Sequence, residues 1–117
     1  MTITNQDFTH YCGNFRRLII PVTKEDGTPL DLADIAIYWA VALKPEADVT
    51  EIHKTIGHGI VVQDPSTKGI CEVTLRPEDT ARRLPGEYYH EAWIVDADGH
   101  PSTIATGTML LKASLAN

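Results

Sequence analysis

The sequence predicts an all-β protein, a β-sandwich of seven to eight short antiparallel strands with one short helical turn. Three observations lead to this prediction. Large apolar residues recur at every second position in several segments, glycine turns separate those segments about every ten residues, and one segment follows neither pattern. With 117 residues, of which 43% are hydrophobic, the chain is long enough to bury one core. We therefore expect residues 1–117 to form a single domain.

The alternation is clearest in the segment DIAIYWAVAL. Its large residues fall on one face of a strand, so Trp39 should lie at the centre of the core. The inward set is Ile35, Ile37, Trp39, Val41 and Leu43, and the outward set is Ala36, Tyr38, Ala40 and Ala42. The same pattern places Leu18, Ile20, Val22, Cys71, Val73 and Leu75 inside. Pro21 predicts an edge strand, because proline donates no ladder hydrogen bond, and TNQDFTH is a further candidate strand.

Turns are predicted where glycine can supply a positive φ angle. Asp26-Gly27, Lys68-Gly69 and Asp98-Gly99 each suit a tight hairpin. The segment RPEDTARRLPG does not alternate, and its Pro77 suits the first position of a helix. Because Pro85 and Gly86 follow, we expect a single helical turn that links two strands.

Residues 90–100, HEAWIVDADGH, hold two histidines and three carboxylates, which raises the question of a metal or catalytic site. On a strand, His90 and Glu91 point to opposite faces and cannot bind one ion together. The spacing fits neither the HExxH zinc motif nor a calcium loop. We expect Asp96 and Asp98 to cap their own turn and His100 to be solvated. The sequence therefore predicts no metal and no cofactor.

The remaining candidates for chemistry also favour a structural interpretation. His53 and His58 could share an ion only through an unusual loop geometry. No nucleophile elbow surrounds the serines, which are Ser66, Ser102 and Ser114. Cys12 and Cys71 have no zinc or redox spacing, so both are expected as reduced thiols, with Cys71 inside the core. We therefore predict that the protein is not an enzyme.

Charge and hydropathy argue against two classes of partner, nucleic acids and membranes. A net charge of −6 argues against a nucleic-acid partner, because phosphate binding requires a basic surface. The N-terminal sequence does not resemble a signal peptide, and no apolar run approaches the length of a membrane span. The sequence therefore predicts a cytosolic protein with no membrane contact, unless it leaves the cell in a larger assembly.

The C-terminal hairpin is apolar on both faces, which is unusual for a monomeric sandwich. The inward residues of this pattern are Tyr88, Ala92, Ile94, Met109 and Leu111. The outward residues, which form a candidate interface, are Tyr89, Trp93, Val95, Ile104 and Leu110. Two alternatives remain: the hairpin could be a central pair covered by the N-terminal segment, or Tyr89 and Trp93 could form a sugar-stacking platform.

Two long segments resemble one known family. They are RRLIIPVTKEDGTPLDLADIAIYWAV and GIVVQDPSTKGICEVTLRPEDTARRLPGEYYHEAWIVDADGHPSTIATGTMLL. Their order of strands and turns is similar to the immunoglobulin-like β-sandwich domains in virion proteins of tailed bacteriophages, in particular the N-terminal domain of baseplate upper proteins and related tail-fibre adaptors. Leu75, Thr80, Leu84, Gly86, Tyr88, Asp98-Gly99 and Gly107 stand where that family places its strand end, helical turn, hairpin and closing strand.

The resemblance implies a function as well as a fold. It implies a non-enzymatic structural adaptor of a tail, baseplate or neck, synthesised and assembled in the host cytoplasm and located in the virion. Other virion proteins would be its partners, with a homo-oligomer in the particle and no cofactor. The chain ends at KASLAN, without the coiled coil or receptor-binding segments of longer members. The alternatives are a carbohydrate-binding module that contacts host glycans and a small hydrolase.

Overall fold

The computed structural model describes residues 2–115, and these form eight β-strands and one helical turn. The strands are β1 (Phe8–Tyr11), β2 (Arg16–Pro21), β3 (Ala36–Ala42), β4 (Ile52–Ile56), β5 (Gly59–Val62), β6 (Ile70–Leu75), β7 (Gly86–Val95) and β8 (Pro101–Lys112). The helical turn α1 (Pro77–Thr80) lies between β6 and β7, and a short 3-10 turn occupies Ser66–Lys68. The predicted all-β class, the number of strands and the helical turn are confirmed.

The strands form a continuous ladder in the order β1-β8-β7-β3-β4-β5-β6-β2. We divide this sheet into two sections, here called layers, at β4 and β5, which pair through only two residue pairs. One layer holds β1, β8, β7, β3 and β4, and the other holds β5, β6 and β2. Five pairings are antiparallel, whereas β1–β8 and β4–β5 are parallel. The alternation of residues in the sequence does not distinguish these directions.

This strand order is that of an immunoglobulin-like sandwich, in which the second, fifth and sixth strands face the third, seventh and eighth. Two further hallmarks of the fold are present. Trp39 is completely buried on β3, and the Tyr88 hydroxyl at the start of β7 donates a hydrogen bond of 2.6 Å to the Leu84 carbonyl. In antibody domains a disulfide cysteine stands two residues after this tyrosine. In this chain that position is His90.

Both layers contribute to one hydrophobic core. In most strands the buried residues are those that the alternation predicted to point inward. Its buried members include Ile20, Val22, Ile37, Trp39, Val41, Ile60, Cys71, Val73, Leu75, Met109 and Leu111. Leu43 was predicted to point inward but is 65% exposed, because β3 already ends at Ala42. Cys12 and Cys71 are both free and buried, and burial raises the pKa of the Cys71 thiol to about 11.

The predicted positive φ angles and breaks are present, but of the three predicted tight hairpins only the one at Asp98-Gly99 joins two paired strands directly. Gly27, Gly69 and Gly99 all have positive φ angles, and Pro21 ends the edge strand β2. Pro77 begins α1, and the Asp79 carboxylate caps this turn by accepting the Arg76 backbone N–H at 2.7 Å. Within residues 2–115, no helix is long and apolar enough to cross a membrane.

Candidate interaction surface on the outer face of β7

Four of the five predicted interface residues lie together on the outer face of the larger layer. Tyr89, Trp93 and Val95 follow one another at every second or fourth position of β7, and Leu110 lies on β8. All four are partly exposed. The inner face carries the predicted inward set, and Tyr88, Ala92, Ile94, Met109 and Leu111 are all buried. The opposite orientation of His90 and Glu91 is confirmed, with His90 inside.

The fifth residue, Ile104, was predicted to point outward, and this is wrong. It is 2% exposed and belongs to the core. The cause is a β-bulge: Ala92 pairs with Ala105, whereas Trp93 pairs with Thr103, so Ile104 has no partner in the ladder. An extra residue in one strand shifts the parity of the residues on either side of it. Ile104 and Ala105 can therefore both be buried.

The N-terminal segment extends the edge of this layer instead of lying over its outer face. Strand β1 pairs with β8 in parallel, and the Ile3 and Gln6 amides donate hydrogen bonds of 2.9 Å to carbonyls of β8. The Gln6 carbonyl contacts the ring of His90, which belongs to the inner face. The hairpin is thus central within its layer, as one alternative proposed, but the N-terminal residues cover its edge.

Residues of two further strands enlarge this surface. Tyr38 of β3 is the cross-strand neighbour of Trp93, and their rings stack with centroids 5.4 Å apart and an interplanar angle of 20°. His53 of β4 lies 6.0 Å from the Tyr38 ring and 6.1 Å from the Trp93 ring. We use the name outer aromatic surface for Tyr38, His53, Tyr89, Trp93, Val95 and Leu110.

Glu91 lies between Tyr89 and Trp93 on the same face of β7. One of its carboxylate oxygens accepts a hydrogen bond of 2.6 Å from the Tyr89 hydroxyl, and the other accepts one of 3.3 Å from the Thr103 hydroxyl. Burial and the bond to this carboxylate raise the pKa of Tyr89 to about 12. Within residues 2–115, no lysine, arginine or histidine lies within ion-pair distance of Glu91.

A shallow depression lies beside Trp93, and Tyr38 is not among its lining residues. It is lined by Glu91, Trp93, Pro101 and Thr103 and has a volume of about 330 Å³. The β3 neighbour of Trp93 is Tyr38 and its β8 neighbour is Thr103. The indole thus stacks on a tyrosine and also lines a depression that contains a carboxylate.

The inner side of the same layer contains a second polar arrangement, between the edges of β1 and β2. The Trp39 indole N–H donates a hydrogen bond of 3.2 Å to His90 Nδ1, which leaves Nε2–H of His90 to donate to the Gln6 carbonyl at 2.6 Å. Both ring nitrogens are therefore used by a neutral imidazole. Burial lowers the pKa of His90, and the Gln6 carbonyl opposes this shift.

The turn between β7 and β8 has the predicted capping structure. Asp96 Oδ1 accepts the backbone N–H groups of Asp98 and His100, each at 2.9 Å. These bonds lower the pKa of the Asp96 carboxyl, with the His100 bond as the largest cause. Asp96, Asp98 and His100 each present one ligand atom, and these atoms lie within 4.8 Å of one another on an exposed loop. The expectation that no ion binds there stays a prediction.

The other residues considered for chemistry are dispersed over the fold. His58 lies in the turn between β4 and β5, whereas His53 belongs to the outer aromatic surface. The Ser66 hydroxyl donates to Asp31 at 2.7 Å and so fixes a loop. The thiol of Cys71 is in the core. These four residues lie in β4, in the turn after it, in the 3-10 turn and in β6.

No protein-family model matches this chain, and no curated protein is similar enough to it to count as a relative.

Proposed function

We propose that this chain is a non-enzymatic structural adaptor of a bacteriophage virion, in the tail, baseplate or neck, and that it docks to neighbouring virion proteins through the outer aromatic surface. The observation that supports docking is the composition of this surface. A solvated sheet face normally carries polar residues, whereas the central strand β7 presents Tyr89, Trp93 and Val95 on its outer side.

The geometry of the aromatic residues suits an interface. Tyr38 and Trp93 are already stacked in the free chain, so little side-chain freedom is lost when a partner covers them. Tryptophan and tyrosine are the residue types that most often dominate binding energy at protein interfaces. The surface also lies on strands of a rigid layer, which positions it more accurately than a loop would.

The resemblance to virion domains supports the location that we propose. It rests on the order of strands and turns over nearly the whole chain, and it implies assembly in the host cytoplasm with other virion proteins and with further copies of this chain. An immunoglobulin-like sandwich serves many functions, so the fold alone does not select this one.

The geometry favours protein docking over the alternative of glycan binding. A sugar platform needs open aromatic faces, but one face of Trp93 is stacked against Tyr38. Tyr89 and Trp93 are four positions apart on one strand, which separates them by about 13 Å. Glu91 lies between them and holds the Tyr89 hydroxyl.

Replacing Trp93 tests this proposal. We expect Trp93→Ala to lower the free energy of unfolding by about 2 kcal/mol, less than the loss at a core tryptophan, because it removes the Tyr38 stack and a partly buried indole. The same change should weaken self-association, or docking to the neighbour identified by cross-linking in purified particles, by about 2 kcal/mol or more. Urea unfolding and sedimentation of the same samples measure the two effects.

Phe15→Ala is a matched control, because Phe15 is an aromatic residue that is 56% exposed outside the outer aromatic surface. It should leave association unchanged. A large loss of stability in Trp93→Ala with unaltered association would contradict the proposal. Saturable binding of cell-wall glycans that depends on Trp93 would favour the carbohydrate-binding alternative.

A further inference from the structure

We propose that the depression beside Trp93 is a binding site for an arginine side chain of the docking partner, with the guanidinium over the open face of the indole and hydrogen-bonded to the Glu91 carboxylate. This inference rests on the proposed function, because it names the chemistry of the partner at the same surface. It can nevertheless be measured without any partner protein.

The Glu91 carboxylate keeps hydrogen-bond acceptor positions that its neighbours do not use. It has about four acceptor positions, and the Tyr89 and Thr103 hydroxyls use one on each oxygen. Both oxygens are therefore held in a fixed orientation while each keeps a free acceptor position. No cation of residues 2–115 pairs with this partly buried charge. A partly exposed carboxylate with free acceptor positions can accept hydrogen bonds from an external cationic donor.

The indole of Trp93 has neighbours on both adjacent strands. It stacks on Tyr38 of β3, and it also lines the depression together with Pro101 and Thr103 of β8. Tryptophan attracts cations more strongly than the other aromatic side chains, because its ring face carries the largest negative potential. The site therefore offers an aromatic plane and a carboxylate that are two residues apart on one strand face.

The combination selects guanidinium over ammonium. A guanidinium is planar, so it can stack on the indole while its edge donates two parallel hydrogen bonds to the carboxylate. An ammonium is a compact charge that can satisfy only one of these two contacts well. The chain carries a net charge of −6, which also attracts a basic segment during encounter.

The test uses the full chain and two blocked amino acids. Nα-acetyl-arginine amide is titrated while the two indole N–H resonances, from Trp39 and Trp93, are followed by NMR. We expect a saturable shift of the Trp93 resonance with a dissociation constant on the order of 10 mM, and an unchanged Trp39 resonance. Nα-acetyl-citrulline amide has nearly the same shape without the charge, and it should give no saturable shift.

Two variants separate this site from general acidity. Glu91→Gln should weaken arginine binding at least fivefold, because it removes the charge and one free acceptor. Glu87→Gln makes the same change at an exposed position of β7 that lies outside the depression, and it should leave binding unchanged. Equal weakening by both variants would overturn the proposal, as would equal shifts from arginine and citrulline or equally tight binding of Nα-acetyl-lysine amide.

The outcomes also distinguish this inference from the proposed function. If association depends on Trp93 but the arginine probe does not bind, the arginine site is wrong and the docking surface stands. If the probe binds at Glu91 but Trp93→Ala leaves association unaltered, the arginine site stands and the docking function is wrong.

Discussion

Trp39 and Trp93 lie on adjacent strands, yet they belong to different environments. Trp39 of β3 pairs with Ala92, and Trp93 of β7 pairs with Tyr38, so the two indoles point to opposite sides of one layer. Trp39 is 0% exposed and donates its indole N–H to His90. Trp93 is partly exposed and stacks on Tyr38. The position of a tryptophan within its strand therefore decides whether its indole lies in the core or on the outer face.

The polar neighbours of the two indoles differ in the same way. The neutral His90 ring links Trp39 to the Gln6 carbonyl, so every polar atom of this inner group has a partner within the chain. Glu91, the neighbour of Trp93, keeps acceptor positions that the described chain does not use. A satisfied polar group rigidifies a core, whereas a partly satisfied one at a surface is free to bind.

The largest expected effect comes from removing the inner indole. Trp39→Ala should lower the free energy of unfolding by about 3–5 kcal/mol, because it leaves a cavity and an unpaired His90 nitrogen. The corresponding loss for Trp93→Ala is about 2 kcal/mol, because its indole is only partly buried. Urea unfolding of both variants beside the wild type measures the difference directly.

Trp39→Phe is a milder substitution that still allows the two tryptophans to be compared if Trp39→Ala fails to fold. Phenylalanine keeps most of the buried ring but removes the donor to His90, so its cost should fall between those of Trp39→Ala and Trp93→Ala. Similar costs for Trp39→Ala and Trp93→Ala would mean that the outer indole belongs to the core, and the distinction between the two faces would fail.

A smaller effect is expected from the tyrosines of the two faces. Tyr88→Phe removes the hydrogen bond to the Leu84 carbonyl at the start of β7, and it should lower the free energy of unfolding by about 1 kcal/mol. Tyr89→Phe removes a bond to a carboxylate that water can reach, so its cost should be smaller. Thermal or urea unfolding of both variants checks the order, and a larger loss for Tyr89→Phe would reverse the assignment of faces.

For most strand residues, the sequence predicted whether the side chain points inward or outward. This was possible because alternation in segments such as β3 and β7 follows directly from strand geometry. The orientation of Ile104 could not, since both Ile104 and its neighbour Ala105 are apolar and nothing in the segment marks the extra residue of the bulge. The end of β3 before Leu43 was missed for a similar reason, because the apolar pattern continues past the last ladder bond.

The composition of the site could be predicted only in part. Sequence parity placed Tyr38 and Trp93 on outer faces, but their stacking depends on the register between β3 and β7, which are far apart in the chain. The N-terminal contact with His90 depends on Gly107, where a Cβ atom would collide with the Gln6 backbone. The sequence shows a glycine at this position, but it does not indicate which segment of the chain packs against it.

The smallest effect is expected from pH, because protonation of His90 removes no atoms. Burial lowers the pKa of His90 in the folded chain below the value of 6.5 that an unperturbed histidine has. The unfolded chain therefore binds the proton more strongly, and stability present above pH 6.5 should be lost as the pH falls through the folded pKa. A protonated Nδ1 would also face the Trp39 N–H, so the bond between the two rings would break.

His10 on the inner side of β1 contributes to the pH dependence in the same direction, because burial lowers its pKa as well. Urea unfolding at pH 7.5 and at pH 5.5 measures the total loss of stability. His90→Gln should show a smaller difference between the two conditions than the wild type, because glutamine does not titrate in this range. An unchanged difference in His90→Gln would assign the pH dependence to His10, and the pairing of Trp39 with His90 would then make no contribution to it.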